Sequence, residues 1–260
     1  MTIPAPQTGT PVIEVEGLTA GYGDRVIFRD VSFRIYAGEV FVILGGSGCG
    51  KSTLLKILIG LLPPMAGSIR VLGQDISSGG EKEMEAVRRR IGVLFQAGGL
   101  LNSMSVGENV ALPMSEHTDL SPETIQELVR MKLALVDLSD AVDLLPSEIS
   151  GGMKKRAGLA RALALDPPLL FLDEPSAGLD PVTSLELDLL IMSINEGTGS
   201  TMVVVTHELN SIFRIAHRVI FLDRDGMGII AEGDPRVLRD TSSDPRVSNF
   251  LNRRTASQKG

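Results

Sequence analysis

The run Gly45-Gly46-Ser47-Gly48-Cys49-Gly50-Lys51-Ser52 constrains this chain more than any other stretch, because it satisfies the pattern G-x-x-x-x-G-K-[ST] in full. Residues 40–44 before it form an unbroken apolar run, as expected of a strand buried on both faces. After it, residues 52–62 read as a helix stopped by Pro63-Pro64. Glycines allow the backbone angles that turn successive N–H groups inward into an anion nest. The helix that follows adds the positive end of its dipole, worth up to about 2 kcal/mol in a favourable site. Lys51 then reaches the β and γ phosphates of a nucleoside triphosphate, and Ser52 offers a hydroxyl to Mg²⁺. A mere strand-to-helix connector has no need of the Lys-Ser ending. The phosphate site extends from Gly45 to Thr53, and Cys49, with no activating partner in sight, reads as a small filler.

A second apolar strand, Leu169-Leu170-Phe171-Leu172, ends in Asp173-Glu174. An acid at that place holds Mg²⁺ opposite the phosphate loop, and Glu174 is placed to polarise an attacking water. Val219-Ile220-Phe221-Leu222-Asp223 looks similar, but Arg224-Asp225-Gly226 follows it as a hairpin turn, so Asp223 reads as structural.

Strand-like segments begin at Ile13 to Leu18, Val31 to Ile35, and Ile69 to Leu72, and continue at residues 91–95 and 202–205. A polar stretch, Ser77 to Gly80, precedes a charged helix over 81–90. Residues 97–165 are helical in character, with a capping box at Ser105 and Glu108 and a helix start at Ser121-Pro122-Glu123. Asp234-Pro235 and Asp244-Pro245 announce two short C-terminal helices. Strands alternating with helices predict an α/β fold: a mostly parallel sheet, an antiparallel β portion and an inserted helical subdomain. The expected organisation is a core of 11–96 and 166–233, a helical insertion of 97–165 and a helical extension of 234–260.

The net charge of −7 argues against nucleic acid as the main partner, and the absence of Trp argues against a base-stacking surface. A single cysteine excludes an internal disulfide and suits a reducing compartment. No apolar run approaches the roughly 18 to 20 residues that cross a bilayer, and residues 1–10 form a loose start without the features of a signal peptide. The expectation is a soluble, cytoplasmic chain that something else holds at any membrane it serves.

Ser150-Gly151-Gly152-Met153-Lys154-Lys155-Arg156, just ahead of Asp173-Glu174, resembles the signature sequence of the ABC (ATP-binding cassette) family. Other family elements fall in order around it: Tyr22 for the aromatic on adenine, Gln96 for the Q-loop, residues 176–180 ending in Asp180 for the D-loop, and Thr206-His207 for the switch histidine. The resemblance covers about residues 11–233. It implies a P-loop NTPase of the ABC type that hydrolyses ATP with Mg²⁺ held by Ser52, Gln96 and Asp173, and with Glu174 and His207 in catalysis. Ser150, Gly151 and Gly152 then face the ATP of a partner copy in a homodimer. Ile149 and Met153 stand where the family usually has Leu and Gln, and Met cannot make the hydrogen bonds of Gln. His117 and His217 have no such setting and read as surface or helix-packing residues.

The Ser-Gly-Gly-Met form with basic residues after it resembles the Mla group, which serves MCE-type lipid transporters, as do residues 94–101 and the tail around Asp244 and Phe250. That resemblance implies two permease subunits, an MCE-type substrate-binding protein and a small STAS-like regulatory subunit. It also implies a place on the cytoplasmic face of the bacterial inner membrane and phospholipid as cargo. Gln96 is expected at the hinge of the helical insertion, and residues 97–113 are expected to receive a helix of the permease. A different ABC transporter, or a non-transport ABC module acting through a membrane partner, is the alternative. A DNA-repair ATPase needs coiled-coil or zinc-bearing inserts, and a P-loop kinase needs an acceptor lid and lacks the Ser-Gly-Gly run.

Overall fold

The computed structural model describes residues 9–78 and 80–253. The loose start expected at residues 1–8, Gly79 of the polar stretch and residues 254–260 of the helical extension lie outside the described residues. A β-hairpin comes first, β1 (Pro11–Tyr22) with β2 (Arg25–Tyr36). Then follow β3 (Val40–Gly45), α1 (Lys51–Leu58), β4 (Ala66–Val71), β5 (Gln74–Asp75), α2 (Glu81–Arg88) and β6 (Ile91–Leu94). The inserted helices are α3 (Val106–His117), α4 (Pro122–Leu135) and α5 (Gly151–Ala162). The chain returns through β7 (Leu169–Asp173), α6 (Pro181–Thr198), β8 (Thr201–Val205), α7 (Leu209–Ile215), β9 (Arg218–Asp223) and β10 (Gly228–Gly233). It closes with α8 (Pro235–Thr241) and α9 (Pro245–Leu251).

Six strands in the order β10-β9-β3-β8-β7-β6 make the central sheet, all parallel except the edge strand β10. The antiparallel sheet β2-β1-β4-β5 covers part of it. The apolar strands explain this arrangement, because each sends alternate residues into two different cores. Val40, Val42 and Leu44 of β3 join one apolar cluster while Phe41 and Ile43 join the other. Leu170 and Leu172 part in the same way from Leu169 and Phe171, and Met202 and Val204 from Val203 and Val205. The first cluster holds α3 to α6 and the C-terminal Val247 and Leu251; the second holds α1 and the antiparallel sheet. Each fully buried Leu, Ile or Phe contributes roughly 1.5–3 kcal/mol. A strand with polar residues on one face could not occupy this place.

The caps form where the residue types dictate. Ser105 and Glu108 make the reciprocal capping box of α3, Ser121 caps α4 with Pro122 in the first turn, and Asp234 and Asp244 cap α8 and α9. Each is worth about 1 kcal/mol. Several boundaries differ from expectation; α2 ends at Arg88 and not 90, and β6 at Leu94 and not 95. Helix α1 ends at Leu58 and not at residue 62, because Gly60 takes a left-handed φ of 71° and the amides of Leu61 and Leu62 turn back to the Lys56 carbonyl at 2.7 and 3.2 Å. The left-handed turn at Gly60 thus ends the helix before the prolines are reached. Leu72 leaves the strand at φ 49° to enter the β4–β5 turn.

Candidate functional site

Because β3, β6, β7, β8 and β9 run parallel, their C-terminal ends open along one edge of the sheet, the usual place for a ligand in such folds. The phosphate loop leaves β3 at that edge. Gly45 has φ 148°, and a Cβ there would stand 2.3 Å from the Leu222 carbonyl oxygen on β9, so no larger residue fits. Gly50, at φ 105°, precedes α1 without any side-chain cap, which leaves the first-turn amides to an anion. The Lys51 ammonium donates to the carbonyls of Gly45 at 2.9 Å and Gly46 at 3.1 Å, using two of its three N–H bonds.

Gly46, Ser47, Gly48 and Ser52 are exposed along the loop, whereas Cys49 and Thr53 are buried beneath it. Burial pushes the Cys49 thiol up, against a weaker downward pull from Lys51, so the cysteine is a space-filler with no thiolate character. A Cβ at Gly50 would stand 2.7 Å from Ile27 and 2.9 Å from Phe28, which shows how closely the β1–β2 hairpin abuts the loop. Tyr22, half exposed, ends β1 on the same hairpin, paired with Arg25.

Across the edge, β7 delivers its two acids. Asp173 Oδ1 and Glu174 Oε2 are buried and have no hydrogen-bond partner among the described residues. Burial, and then the charge of Glu174, raise the Asp173 carboxyl above its ordinary range, while Lys155, Lys56 and Lys51 pull it down. An unpartnered buried carboxylate oxygen costs several kcal/mol, a debt that a cation or a water donor cancels. This donor set fits Mg²⁺, a hard ion that takes oxygen ligands from one or two carboxylates plus the phosphates of its nucleotide. No group of three or more His, Cys, Asp or Glu gathers among the described residues.

Glu174 has φ 47°, a left-handed conformation that costs a non-glycine residue roughly 1–2 kcal/mol. Its peptide is gripped from both sides to keep it there. The amide donates to the Val205 carbonyl on β8 at 2.8 Å, and the carbonyl accepts from the Lys155 ammonium at 2.8 Å. On the side chain, Oε1 lies 2.8 Å from Nδ1 of His207, two residues beyond β8. Gln96 follows β6 by two residues; its carbonyl accepts from Lys155, and its exposed side chain makes no hydrogen bond among the described residues.

Ser150, Gly151 and Gly152 make no hydrogen bond to the phosphate loop among the described residues. Ser150 caps α5 by accepting from the Met153 amide at 3.2 Å, and a Cβ at Gly152 would stand 2.7 Å from Thr183 of α6. The groove beside them is lined by Asp137, Met153, Arg156, Thr183 and Glu186, and by no residue of the phosphate loop. Met153 packs on the helical apolar cluster, which accounts for an apolar residue where the family has Gln. Asp180 caps α6, accepting from the amides of Val182 and Thr183 and from the Thr183 hydroxyl; the Thr183 bonds hold its carboxyl below the usual range.

Sequence reasoning missed Lys155. The signal was present: Lys155 shares a helical stripe with Gly158, Leu159 and Ala162, all buried, so a lysine occupies a position that the periodicity assigns to the interior. His217 is also placed differently from expectation. Half-buried, it has a specific partner: its Nδ1 accepts the Val40 amide at 2.8 Å and so secures the first residue of β3. His117 is exposed at the end of α3, as expected. Asp223 is structural, accepting from the Gly226 amide at 2.6 Å and from Arg246 at 2.5 Å.

The ABC transporter family model matches residues 28–177. The chain is 44% identical over 241 residues to the intermembrane phospholipid transport system ATP-binding protein MlaF of Haemophilus influenzae, spanning 92% of this chain and 90% of that one. It is 47% identical over 242 residues to the probable ribonucleotide transport ATP-binding protein mkl of Mycobacterium tuberculosis, spanning 93% of this chain and 67% of that one. Among solved structures, a dimeric ATP-binding cassette in a post-hydrolysis state with ADP and Pi superposes with a TM-score of 0.77 at 30% identity, over 85% of this chain and 98% of that one.

Proposed function

The chain belongs to the ABC transporter family as an ATP-hydrolysing subunit, and from that premise we propose that it drives phospholipid movement between the two membranes of a bacterium. The observation that carries the chemical half of this reading is the pairing of an uncapped, glycine-lined loop with two buried, unpartnered carboxylate oxygens on the same sheet edge. Backbone amides of residues 46–53 and the Lys51 ammonium grip the triphosphate, while Tyr22 stacks on the base. His207 holds Glu174 Oε1 and leaves Oε2 for the attacking water. Water oxygen bonds to the γ-phosphorus, the bond to the β-phosphate oxygen breaks, and Oε2 takes the proton. Ser52, Asp173 and Gln96 would hold Mg²⁺. When bound, the ion offsets charge on the phosphate oxygens.

Ser150, Gly151 and Gly152 lie apart from the chain's own loop, which supports a homodimer in which each copy's α5 start meets the γ-phosphate held by the other. No helix among the described residues is long and apolar enough to cross a membrane, so coupling to transport requires permease subunits, two in this reading. The helices of 97–165, the segment 234–253 as a C-terminal extension, an MCE-type substrate-binding protein and a STAS-like regulator complete the assembly, seated on the cytoplasmic face of the inner membrane. The cargo is phospholipid on the strength of the relative that matches along nearly its whole length. Ribonucleotide is the second reading, from the mycobacterial relative.

The test is affinity purification from detergent-solubilised membranes, followed by reconstitution into vesicles holding labelled phospholipid or labelled ribonucleotide. Co-purification of a permease and an MCE protein, with ATP-dependent movement of the lipid, is expected. Lys51→Ala is expected to abolish ATP binding and transport together. Movement of ribonucleotide alone would replace the lipid reading, and recovery without a permease would end the transport reading.

A further inference from the structure

Lys155 is a buried ammonium that joins three parts of the molecule, and none of the roles considered so far uses it. It stands in the second turn of α5, 6% exposed, and donates to two backbone carbonyls far apart in sequence. One belongs to Gln96, where the chain leaves β6 for the inserted helices; the other belongs to Glu174, at the end of β7. The Gln96 segment is fastened to α5 a second and a third time. Arg161 donates to the Gly99 carbonyl at 2.6 Å, and Gly158 lies so close to this loop that an added Cβ would stand 2.5 Å from the Gly98 carbonyl oxygen. Residues 96–99 and α5 therefore form one unit, and Lys155 is the arm with which that unit holds the Glu174 peptide.

That peptide needs holding. Glu174 keeps a left-handed φ of 47°, and among the described residues its side chain is hydrogen-bonded through His207 on Oε1 alone. Strained backbone of this kind persists only where the surroundings over-determine it. The Val205 carbonyl restrains the amide side of the peptide, and Lys155 restrains the carbonyl side together with a longer contact, 3.2 Å, from the Ala177 amide. Burying a lysine costs several kcal/mol unless it is paired. The nearby charges of Asp173 and Glu174 and the two carbonyls offset that cost only in this arrangement.

We propose that Lys155 is a positioning residue for hydrolysis: by tying the Gln96 and Glu174 carbonyls together, it fixes the carboxylate of Glu174 on the water and makes that placement depend on the position of the inserted helices. The proposal rests on Glu174 acting as the base. Cutting the tie lets the strained peptide relax, and a displacement of about 1 Å at a reacting group can cost about 10²-fold in rate. Lys155 makes no hydrogen bond to the phosphate loop among the described residues, so the loop is expected to keep its grip on nucleotide.

The experiment measures kcat, KM and ATP affinity for Lys155→Met, Lys155→Arg, Glu174→Gln and the double variant Lys155→Met/Glu174→Gln in the full transporter. For Lys155→Met, kcat is expected to fall by about 10- to 100-fold with KM and ATP affinity within about threefold of the parent, a loss of transition-state positioning and not of binding. Lys155→Arg keeps donors for both carbonyls and is expected to recover most of the rate. Adding Lys155→Met to Glu174→Gln is expected to lower the residual rate no further, because the group it positions is already gone. A parent kcat in Lys155→Met overturns the proposal, as does a loss confined to KM. If Lys155→Met does not fold, Lys155→Arg decides: near-parent kcat supports the tie, and a large loss of kcat with ATP affinity intact overturns it. A parent rate in Glu174→Gln overturns the base assignment itself, a failure distinct from that of Lys155.

Discussion

Strands β7 and β9 are near twins in sequence, each an apolar run closed by an aspartate, yet the molecule treats their acids in opposite ways. Asp223 at the end of β9 is satisfied: it accepts from the Gly226 amide, which closes the turn into β10, and from Arg246, which α9 delivers. Asp173 at the end of β7 keeps a buried oxygen without a partner, and so does Glu174 after it. Both strands end at the same edge of the same sheet. What differs is what arrives next. After β9 the chain reverses within a few residues and supplies its own donors; after β7 it enters a turn that holds Glu174 at a left-handed φ and supplies no donor to Asp173 Oδ1 or Glu174 Oε2. At this edge the acid whose hydrogen bonds are complete holds a turn and a helix together, and the pair left incomplete is open to a ligand; Asp188 on α6, whose Oδ1 also lacks a partner, has its other oxygen on Arg214.

The contrast makes its largest prediction at Glu174. Glu174→Gln should retain ATP binding and lose about 10²- to 10⁴-fold in kcat, as removal of a positioned base does. Phosphate release and ATP-dependent dimer formation by size-exclusion chromatography check this, and the dimer should accumulate. Hydrolysis at the parent rate would put both strand ends on the same footing and break the comparison.

A smaller effect is expected on the other side. Asp223→Asn should leave hydrolysis within about twofold of the parent, since its hydrogen bonds go to the Gly226 turn and to Arg246, and should lower stability by about 1 kcal/mol once exposure of Arg246 is discounted. In a domain of this size that is about 2–4 °C in a melting experiment. A large loss of activity without a change in melting temperature would count Asp223 among the catalytic acids.

The smallest effect concerns Asp244, which caps α9 and pairs with the same Arg246. Its hydrogen bonds from the Arg246 side chain and amide hold its carboxyl down at about 2, below an unfolded value of about 3.9. A depressed carboxyl contributes stability above its unfolded value and loses it as pH falls toward the folded one. The gap in melting temperature between the parent and Asp244→Ala should therefore be widest above about pH 4 and close on the way down to about pH 2. A gap that is constant through this window would mean that the cap works without its charge.

Much of the phosphate loop and of both acid strands was legible because the physics there is local. Gly45 and Gly50 take backbone angles that only glycine adopts freely, and the Lys-Ser ending and the dipole of α1 require nothing beyond adjacent residues. Apolar runs with no polar alternation can only sit between two covered faces, so a parallel sheet between layers was readable too. The ends of elements were less so: α1 stops at Leu58, where Gly60 turns left-handed and the amides of Leu61 and Leu62 return to Lys56, although the apolar pattern runs on to residue 62.

By itself, then, the sequence determined the nucleotide-binding loop, the alternation of strands and helices, the caps, and the pair of strands that could carry a working acid. Only the tertiary structure decided which acid was left unsatisfied, that His207 meets Glu174, that His217 secures β3, and that Lys155 binds two carbonyls 59 and 19 residues away. The reason is physical. A residue's backbone preference is set by its own side chain and its neighbours. Whether a buried charge has a partner depends on what the fold brings within about 3 Å of it, and no local pattern records that.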